Sequence, residues 1–319
     1  MKKVLALVLC LALMFTLIGC GEAKTEKKAK YTVGICQLVQ HEALDAATEG
    51  FIKALKDELG DDVAIENKNA SGEPANCATI VNGFVSKNVD LIMANATPAL
   101  TAAANATGDI PILGTSVTEY GVALGIKNFT GKTGINVSGT SDLAPLDKQA
   151  EMIKEWMPDV KKVALIYCTA EANSDYQVKE IAKELDKLGV ETKEFSFTDT
   201  NDVAAVTESA AAYGDAIYIP TDNTAASNTE AIANIVLEKK IPVFAGEEGI
   251  CKGCGVATLT ISYSDLGYAT GLMAAKILKG EADIKDMAIE YAPNFTKKVN
   301  KANAELLGLK LPEGYEEIK

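Results

Sequence analysis

Residues 215–227, DAIYIPTDNTAAS, decide how this chain is read. Positions 215–219 are an apolar run with the length and composition of a buried strand. Pro220 stops the run, and Thr221, Asp222, Asn223 and Thr224 follow before an alanine-rich helical pattern opens at Ala225. A strand that ends in hydroxyl, carboxylate and amide groups just ahead of a helix makes a polar platform at the strand's carboxyl edge. Open α/β sheets hold their ligands at that edge. The same unit occurs earlier as DLIMANATPALTAAA over 90–104, where Asp90 matches Asp215, Ile92 matches Ile217 and Thr97 falls on Asp222. The duplication predicts two similar α/β lobes, each Rossmann-like (flavodoxin-like), whose platforms face each other across a ligand cleft.

The flanking sequence alternates strand and helix patterns, the signature of a mainly parallel sheet. Strand-like runs at 32–36, 63–66, 91–94 and 110–113 are separated by helical patterns at 42–59, 74–86 and 98–106, and the first helix carries Leu44, Ala47, Phe51, Leu55 and Leu59 on one face. Pro74 and Pro98 suit first-turn positions. A short strand at 137–139 and a helix at 143–156, closed by Pro158, lead to a second round: strand 163–168, helix 173–188, strands 215–219, 241–244 and 256–260, and helix 264–278. Short strands near 287–291 and 297–300 and a small helix at 301–307 finish the chain. Trp156 fits the buried face of its helix.

The first residues read as an export signal: Lys2 and Lys3, a 15-residue apolar run over 4–18, then Leu17-Ile18-Gly19-Cys20. This ending resembles the bacterial lipobox, which implies lipidation at Cys20 and a membrane anchor. The Lys- and Glu-rich stretch to Lys30 lacks apolar periodicity and reads as a tether. The formal charge is −13, and more negative still without Lys2 and Lys3. A basic face for nucleic acid is therefore absent. The chain also contains no arginine, so no guanidinium fork is available for a carboxylate or phosphate. Neither GxGxxG nor GxxxxGK[ST] occurs, and nothing points to a cofactor or a catalytic metal.

Six motifs in order make the chain similar to the ABC-transporter substrate-binding lipoproteins of the ABC_sub_bind family, which include tryptophan and tyrosine uptake proteins. They are QLVQHEALDAATEGF (37–51), NATPA (95–99), TSDLAP (140–145), EANS (171–174), YIPTDNT (218–224) and SYSDLGYATGLMAAKILKG (262–280). The resemblance spans 31–311 and implies the type I periplasmic-binding fold, two lobes joined by three crossovers near 137–140, 258–263 and 289–292. It gives a signal over 1–19, a tether over 20–30, a first lobe of 31–139 plus 262–288, and a second of 140–261 plus 289–319. Separate ABC permease and ATPase subunits are the implied partners, and the binding protein itself is expected to be a monomer.

The candidate site residues come from the platforms. Asp222 is read as the anionic acceptor for a ligand ammonium; the same position suits a helix N-cap, and one carboxylate can do both. Asn223 and Thr224 cap that helix or orient the ligand. Thr97, Thr115 and Ser116 are the matching hydroxyls of the first lobe, a carboxylate site built without arginine or else caps and turns. Glu247, with Glu248 beside it, could add to the ammonium site or lie in a solvated loop. Gln37 and His41 flank the end of the first strand, and Asn173 and Ser174 are their counterparts. His41 is the only histidine, which leaves catalytic pairings without an alternative partner. Cys36, Cys77 and Cys168 read as buried. Cys251-Lys252-Gly253-Cys254 is a C-x-x-C that suits a loop disulfide or two free thiols better than a zinc site.

A carboxylate site plus an anionic ammonium site describes an α-amino acid, and the resemblance favours an aromatic one: Trp, Phe or Tyr. The expected function is capture by hinge closure and delivery to an ABC permease. The alternatives are a ligand-sensing receptor module of the same fold, an aliphatic amino acid or another small solute as ligand, and an enzyme on a Rossmann-like scaffold.

Overall fold

The computed structural model describes residues 29–319; the signal segment and Cys20 lie outside the described residues. Strands β1 (Tyr31–Gln37), β2 (Val63–Asn69), β3 (Leu91–Asn95), β4 (Ile112–Val117) and β5 (Val137–Ser141) form one sheet in the order β2-β1-β3-β4-β5. Strands β6 (Lys162–Cys168), β7 (Glu191–Phe197), β8 (Ala216–Ile219), β9 (Val243–Ala245) and β10 (Ala257–Thr260) repeat that order in a second sheet. All these neighbours run parallel. Strand β11 (Glu290–Tyr291) then adds to β5, while β12 (Thr296–Val299) pairs antiparallel with β10 and carries β13 (Glu316–Glu317) at the edge.

Both faces of each sheet are covered, as parallel strands require. Ile92 and Ala94 pack on one side with Phe84 and Leu100, and Leu91 and Met93 on the other with Phe51 and Met273. In the second sheet Leu165 and Tyr218 share a core with Trp156, whereas Ile166 and Ile217 face Val203 and Ile232. Trp156 meets Phe244 and Tyr315 edge-on, at centroid distances of 6.5 and 5.3 Å.

The helices that position the site are α1 (Glu42–Leu59), α2 (Pro74–Ser86), α3 (Thr97–Ala106), α4 (Tyr120–Leu124), α5 (Leu146–Trp156), α6 (Ala172–Lys187), α7 (Val203–Tyr213), α8 (Asn223–Ala226), α9 (Thr229–Glu238), α10 (Glu248–Cys254), α11 (Tyr263–Leu278) and α12 (Lys301–Leu306). Several differ from expectation for local reasons. Pro145 takes the N-cap of α5, so that helix starts at Leu146 rather than 143. The pattern at Ala225 breaks into α8 and α9, because Ser227 and Asn228 turn their side chains back onto the carbonyls of Asn223 and Thr224. The C-x-x-C lies on α10 rather than in a loop, with both thiols buried and free, so no disulfide joins Cys251 and Cys254. Strand β4 runs to Val117 and takes in Thr115 and Ser116, which had been expected beyond the strand.

The chain passes between the sheets at 142–145, 261–262 and 292–295. Residues 140–141 and 290–291, expected on the second lobe, sit on the first sheet, because Glu290 and Tyr291 pair with Thr140 and Ser141. After the second crossing α11 returns to pack on α1. A Cβ at Gly267 would lie 1.9 Å from the Ala47 carbonyl oxygen, and one at Gly50 would lie 2.1 Å from that of Ser264. The two backbones touch where no side chain fits. Gly267→Ala should therefore destabilise the protein by about 1–3 kcal/mol through overpacking, read as a lower urea midpoint by far-UV circular dichroism. An unchanged midpoint would show that the helices can separate without cost.

Candidate ligand-binding site

A cavity opens where the carboxyl ends of the two sheets meet. Its wall from the first lobe is His41 and Leu44 around the start of α1, and Ser116 and Thr118 around the end of β4. Asn173 from α6, Thr221 to Asn223 after β8, Ala226 from α8 and Glu247 after β9 face them. Asp142, on the first crossover, and Tyr263, which opens α11 just after the second, close the remaining side. The lobes touch: His41 Nε2 lies 3.2 Å from Asn223 Oδ1, and the Thr118 and Thr221 hydroxyls are 3.3 Å apart. Outside the cavity Lys252 Nζ meets Glu42 at 2.6 Å.

The acidic platform after β8 is wired inward. Asp222 caps α8, accepting from Ala225 N at 2.8 Å and from Cys168 N at 2.7 Å. Burial, and then the charge of Glu171, push its carboxyl up to about 7, against these N–H donors and the Ser174 side chain. Glu171 is buried as well and accepts from the backbone N–H groups of Asn223 (3.0 Å) and Thr224 (2.9 Å) and from the Thr224 hydroxyl (2.8 Å). Glu247 caps α10, taking Gly249 N at 2.6 Å and Ile250 N, and burial raises its carboxyl to about 7. Glu248 points elsewhere, to Lys298 at 2.6 Å. Asp222 thus lines the cavity while its two oxygens already have protein donors.

Four of the expected residues stand behind the lining. Gln37 holds the end of β1 to α1, with Nε2 donating to Val39 O at 2.8 Å and Asp45 Oδ1 at 2.7 Å while Oε1 accepts from Thr48 at 2.7 Å. The Thr115 hydroxyl belongs to a chain under α11, 3.3 Å from that of Thr140, which in turn lies 2.8 Å from that of Thr270. Ser174 accepts from Asn173 Nδ2 at 3.2 Å, and Thr97 opens α3 away from the cavity wall. Ser116 reaches the wall because β4 bulges between Gly114 and Val117 and Ser116 takes φ 53°, which re-aims its side chain.

Some buried polar atoms have no protein partner, and four of the residues that carry them line this cavity: His41 Nδ1, Ser116 Oγ, Asp142 Oδ1 and Asn173 Oδ1. Folded proteins rarely leave such atoms unpaired, because each costs about 1–3 kcal/mol. Asn173 Nδ2 donates to Thr221 O at 2.9 Å and to Glu171 Oε2 at 3.3 Å, which fixes the amide so that Oδ1 is its free acceptor. Asp142 accepts from the Tyr263 hydroxyl at 3.0 Å through Oδ2 and keeps Oδ1 open. Burial pushes its carboxyl up to about 6, against the Tyr263 hydrogen bond and the nearby Thr118 hydroxyl, which makes its hydrogen bond with Thr221. A carboxylate and an amide oxygen together suit a cationic donor. Asp142 was not among the residues expected here, although it is the carboxylate of the TSDLAP motif at the first crossover. Among the described residues no group of three or more His, Cys, Asp and Glu could hold a metal ion, and no helix is long and apolar enough to cross a membrane.

Residues 32–316 match the family described as ABC transporter substrate binding protein. A tyrosine-binding protein of Clostridioides difficile is 37% identical over 295 residues, which cover 88% of this chain and 85% of the relative. Among solved structures, an ABC domain from Streptococcus pneumoniae in complex with L-Trp is 31% identical, with a TM-score of 0.86 over 92% of this chain and 100% of the other. The ligand-free, open structure of a substrate-binding protein from Clostridium difficile is 38% identical but reaches a TM-score of only 0.69, over 91% of this chain and 99% of the other. The nearer sequence is thus the poorer superposition, which agrees with lobes that touch across the cavity. With the duplicated sheets, the cavity between them and a match over almost every described residue, the chain belongs to the ABC transporter substrate-binding protein family.

Proposed function

We propose that this protein captures an aromatic L-amino acid between its lobes, outside the cytoplasm, and delivers it to an ABC permease driven by a separate ATPase. The observation that carries the reading is the set of buried, unpartnered acceptors on the cavity wall, Asp142 Oδ1 and Asn173 Oδ1, in a chain without arginine. They take the ligand's ammonium, and the Ser116 hydroxyl faces its carboxylate. Leu44, Ala226 and Tyr263 supply apolar surface for the side chain. Asp222 lines the same wall but acts as the cap that keeps the second platform in place, since both of its oxygens have protein donors. The relatives described above bind tyrosine or hold tryptophan, which favours an aromatic ligand here. Retention rather than turnover is the expected activity, since His41 Nε2 lies on an amide oxygen and not on a nucleophile.

Titration of L-tyrosine and L-tryptophan by calorimetry should give saturable one-to-one binding, and small-angle scattering should show a smaller radius of gyration at saturation. A protein that binds neither, or binds without compaction from an open starting state, does not work this way.

Asp142 gives the reading a sign. Its folded value lies above the unfolded one of about 3.9. The stability tied to its proton is therefore full below about 4 and is lost as pH rises through about 6. An ammonium needs the ionised form, so affinity runs the opposite way and should drop about tenfold from pH 7 to pH 5. Asp142→Asn should shrink that drop to what Asp222 and Glu247 on the same wall contribute, and should weaken binding about ten- to a hundredfold at neutral pH, the worth of a buried charge-assisted hydrogen bond. Equal affinities at both pH values in the parent would remove Asp142 from the ammonium site.

Lipidation at Cys20 completes the proposal and holds the monomer at the membrane for the permease. Palmitate labelling of the expressed full chain should appear in the parent and vanish in Cys20→Ala, and label retained in the variant would place any lipid elsewhere.

A further inference from the structure

We propose that His41 selects aromatic ligands whose ring carries a hydrogen-bond donor, a phenol O–H or an indole N–H, over a bare phenyl ring. The inference rests on the amino-acid reading above and adds a specificity residue to it. Asn223 starts the chain of reasoning. Its Nδ2 donates to Glu171 Oε2 at 2.5 Å, and its backbone N–H donates to the same oxygen at 3.0 Å. The amide is therefore fixed with Oδ1 turned toward His41. An amide oxygen only accepts, so the His41 nitrogen 3.2 Å away, Nε2, carries the proton.

A neutral imidazole has one N–H, and with Nε2 protonated Nδ1 is a bare acceptor. The ring is held neutral by burial, which lowers its pKa against the opposing pull of Asn223, Glu171, Asp45 and Glu42. His41 sits at the N-cap of α1 yet makes no capping hydrogen bond, so the helix start does not occupy Nδ1. That atom is buried, has no protein partner and belongs to a residue on the cavity wall. Asp142 Oδ1 and Asn173 Oδ1 take two of the ammonium's three N–H groups, and Nδ1 is assigned to a donor on the ligand's side chain. A phenyl ring would leave it unpaired, and sites built to receive a donor reject the analogue that lacks one.

The test titrates L-tyrosine, L-tryptophan and L-phenylalanine into the wild-type protein and into His41→Met, which fills similar space without a comparable acceptor. Wild type should bind tyrosine or tryptophan roughly ten- to a hundredfold more tightly than phenylalanine. The variant should bring the preferred ligand to within about threefold of phenylalanine, because the lost His41–Asn223 hydrogen bond across the cleft lowers all three affinities by a common factor and leaves their ratio to report on Nδ1. Phenylalanine bound by wild type as tightly as both others would overturn the inference and leave the amino-acid reading standing. So would a variant that weakens all three equally, the mark of a merely structural role. Binding of none of the three by wild type would overturn the amino-acid reading and this inference with it.

Discussion

Burying carboxylates without arginine is the constraint that shapes this molecule. Glu171, Asp222 and Glu247 are all withdrawn from water around one cavity, and no guanidinium exists in the chain to meet them. Each is answered instead by backbone N–H groups at the start of a short helix, α8 or α10. Such helix starts are partial positive charges in fixed positions. This solution dictates where the strands must end and the helices begin, because the donors exist only in the first turn. It also explains why Asp142 is different. Asp142 lies on a crossover rather than at a helix start, one oxygen is met by the Tyr263 hydroxyl, and the other has no protein donor.

That distinction marks how far the sequence could be read. The duplicated strand-platform-helix unit gave the two lobes and their strand order, because hydrophobic periodicity and proline placement are local signals. Helices at 42–59 and 74–86 lie where periodicity put them. Strand β7, ETKEFSF, is an exposed edge strand with charges along it, and α7 is alanine-rich with little polar contrast, so neither stands out in one dimension. The site was legible in part. Six expected residues, His41, Ser116, Asn173, Asp222, Asn223 and Glu247, reach the wall. What could not be read was which carboxylate keeps an open oxygen. Asp222 has the more conspicuous position, but its oxygens are consumed by Ala225 and Cys168, and the latter lies 54 positions away in sequence. The Ser116 contact likewise depends on a bulge that leaves no mark in composition.

The contacts that hold the lobes together are weak by design of their chemistry. Two neutral hydrogen bonds cross the cleft, His41 to Asn223 and Thr118 to Thr221, each worth about 0.5–1.5 kcal/mol net. The Glu42–Lys252 pair has side chains 60% and 45% exposed and adds about 0–1 kcal/mol. Terms of this size cannot commit two lobes to closure against the freedom of the hinge. A ligand that touches both walls supplies the difference, since an equilibrium moves only by the difference in affinity for its two states. In the proposed function, the polar atoms left unpartnered on those walls would be the means of closure. Their cost is borne by the closed state until a ligand meets them.

The hinge itself takes part in that exchange. Asp142 lies on the first crossover and Tyr263 directly follows the second, and their 3.0 Å hydrogen bond ties the first passage between the lobes to the end of the second. An ammonium at Asp142 Oδ1 would stabilise the ionised carboxylate, and a charged acceptor strengthens the bond from Tyr263 in turn. Tyr263 is also the first residue of α11, whose glycines lock it to α1 and so to His41 at the head of that helix. A ligand group at Asp142 would thereby sit beside the first crossover, the end of the second and the first lobe's α11–α1 pair. The backbones of α11 and α1 are in contact at Gly267 and Gly50, so Tyr263 at the head of one helix and His41 at the head of the other are carried by a single closely packed pair.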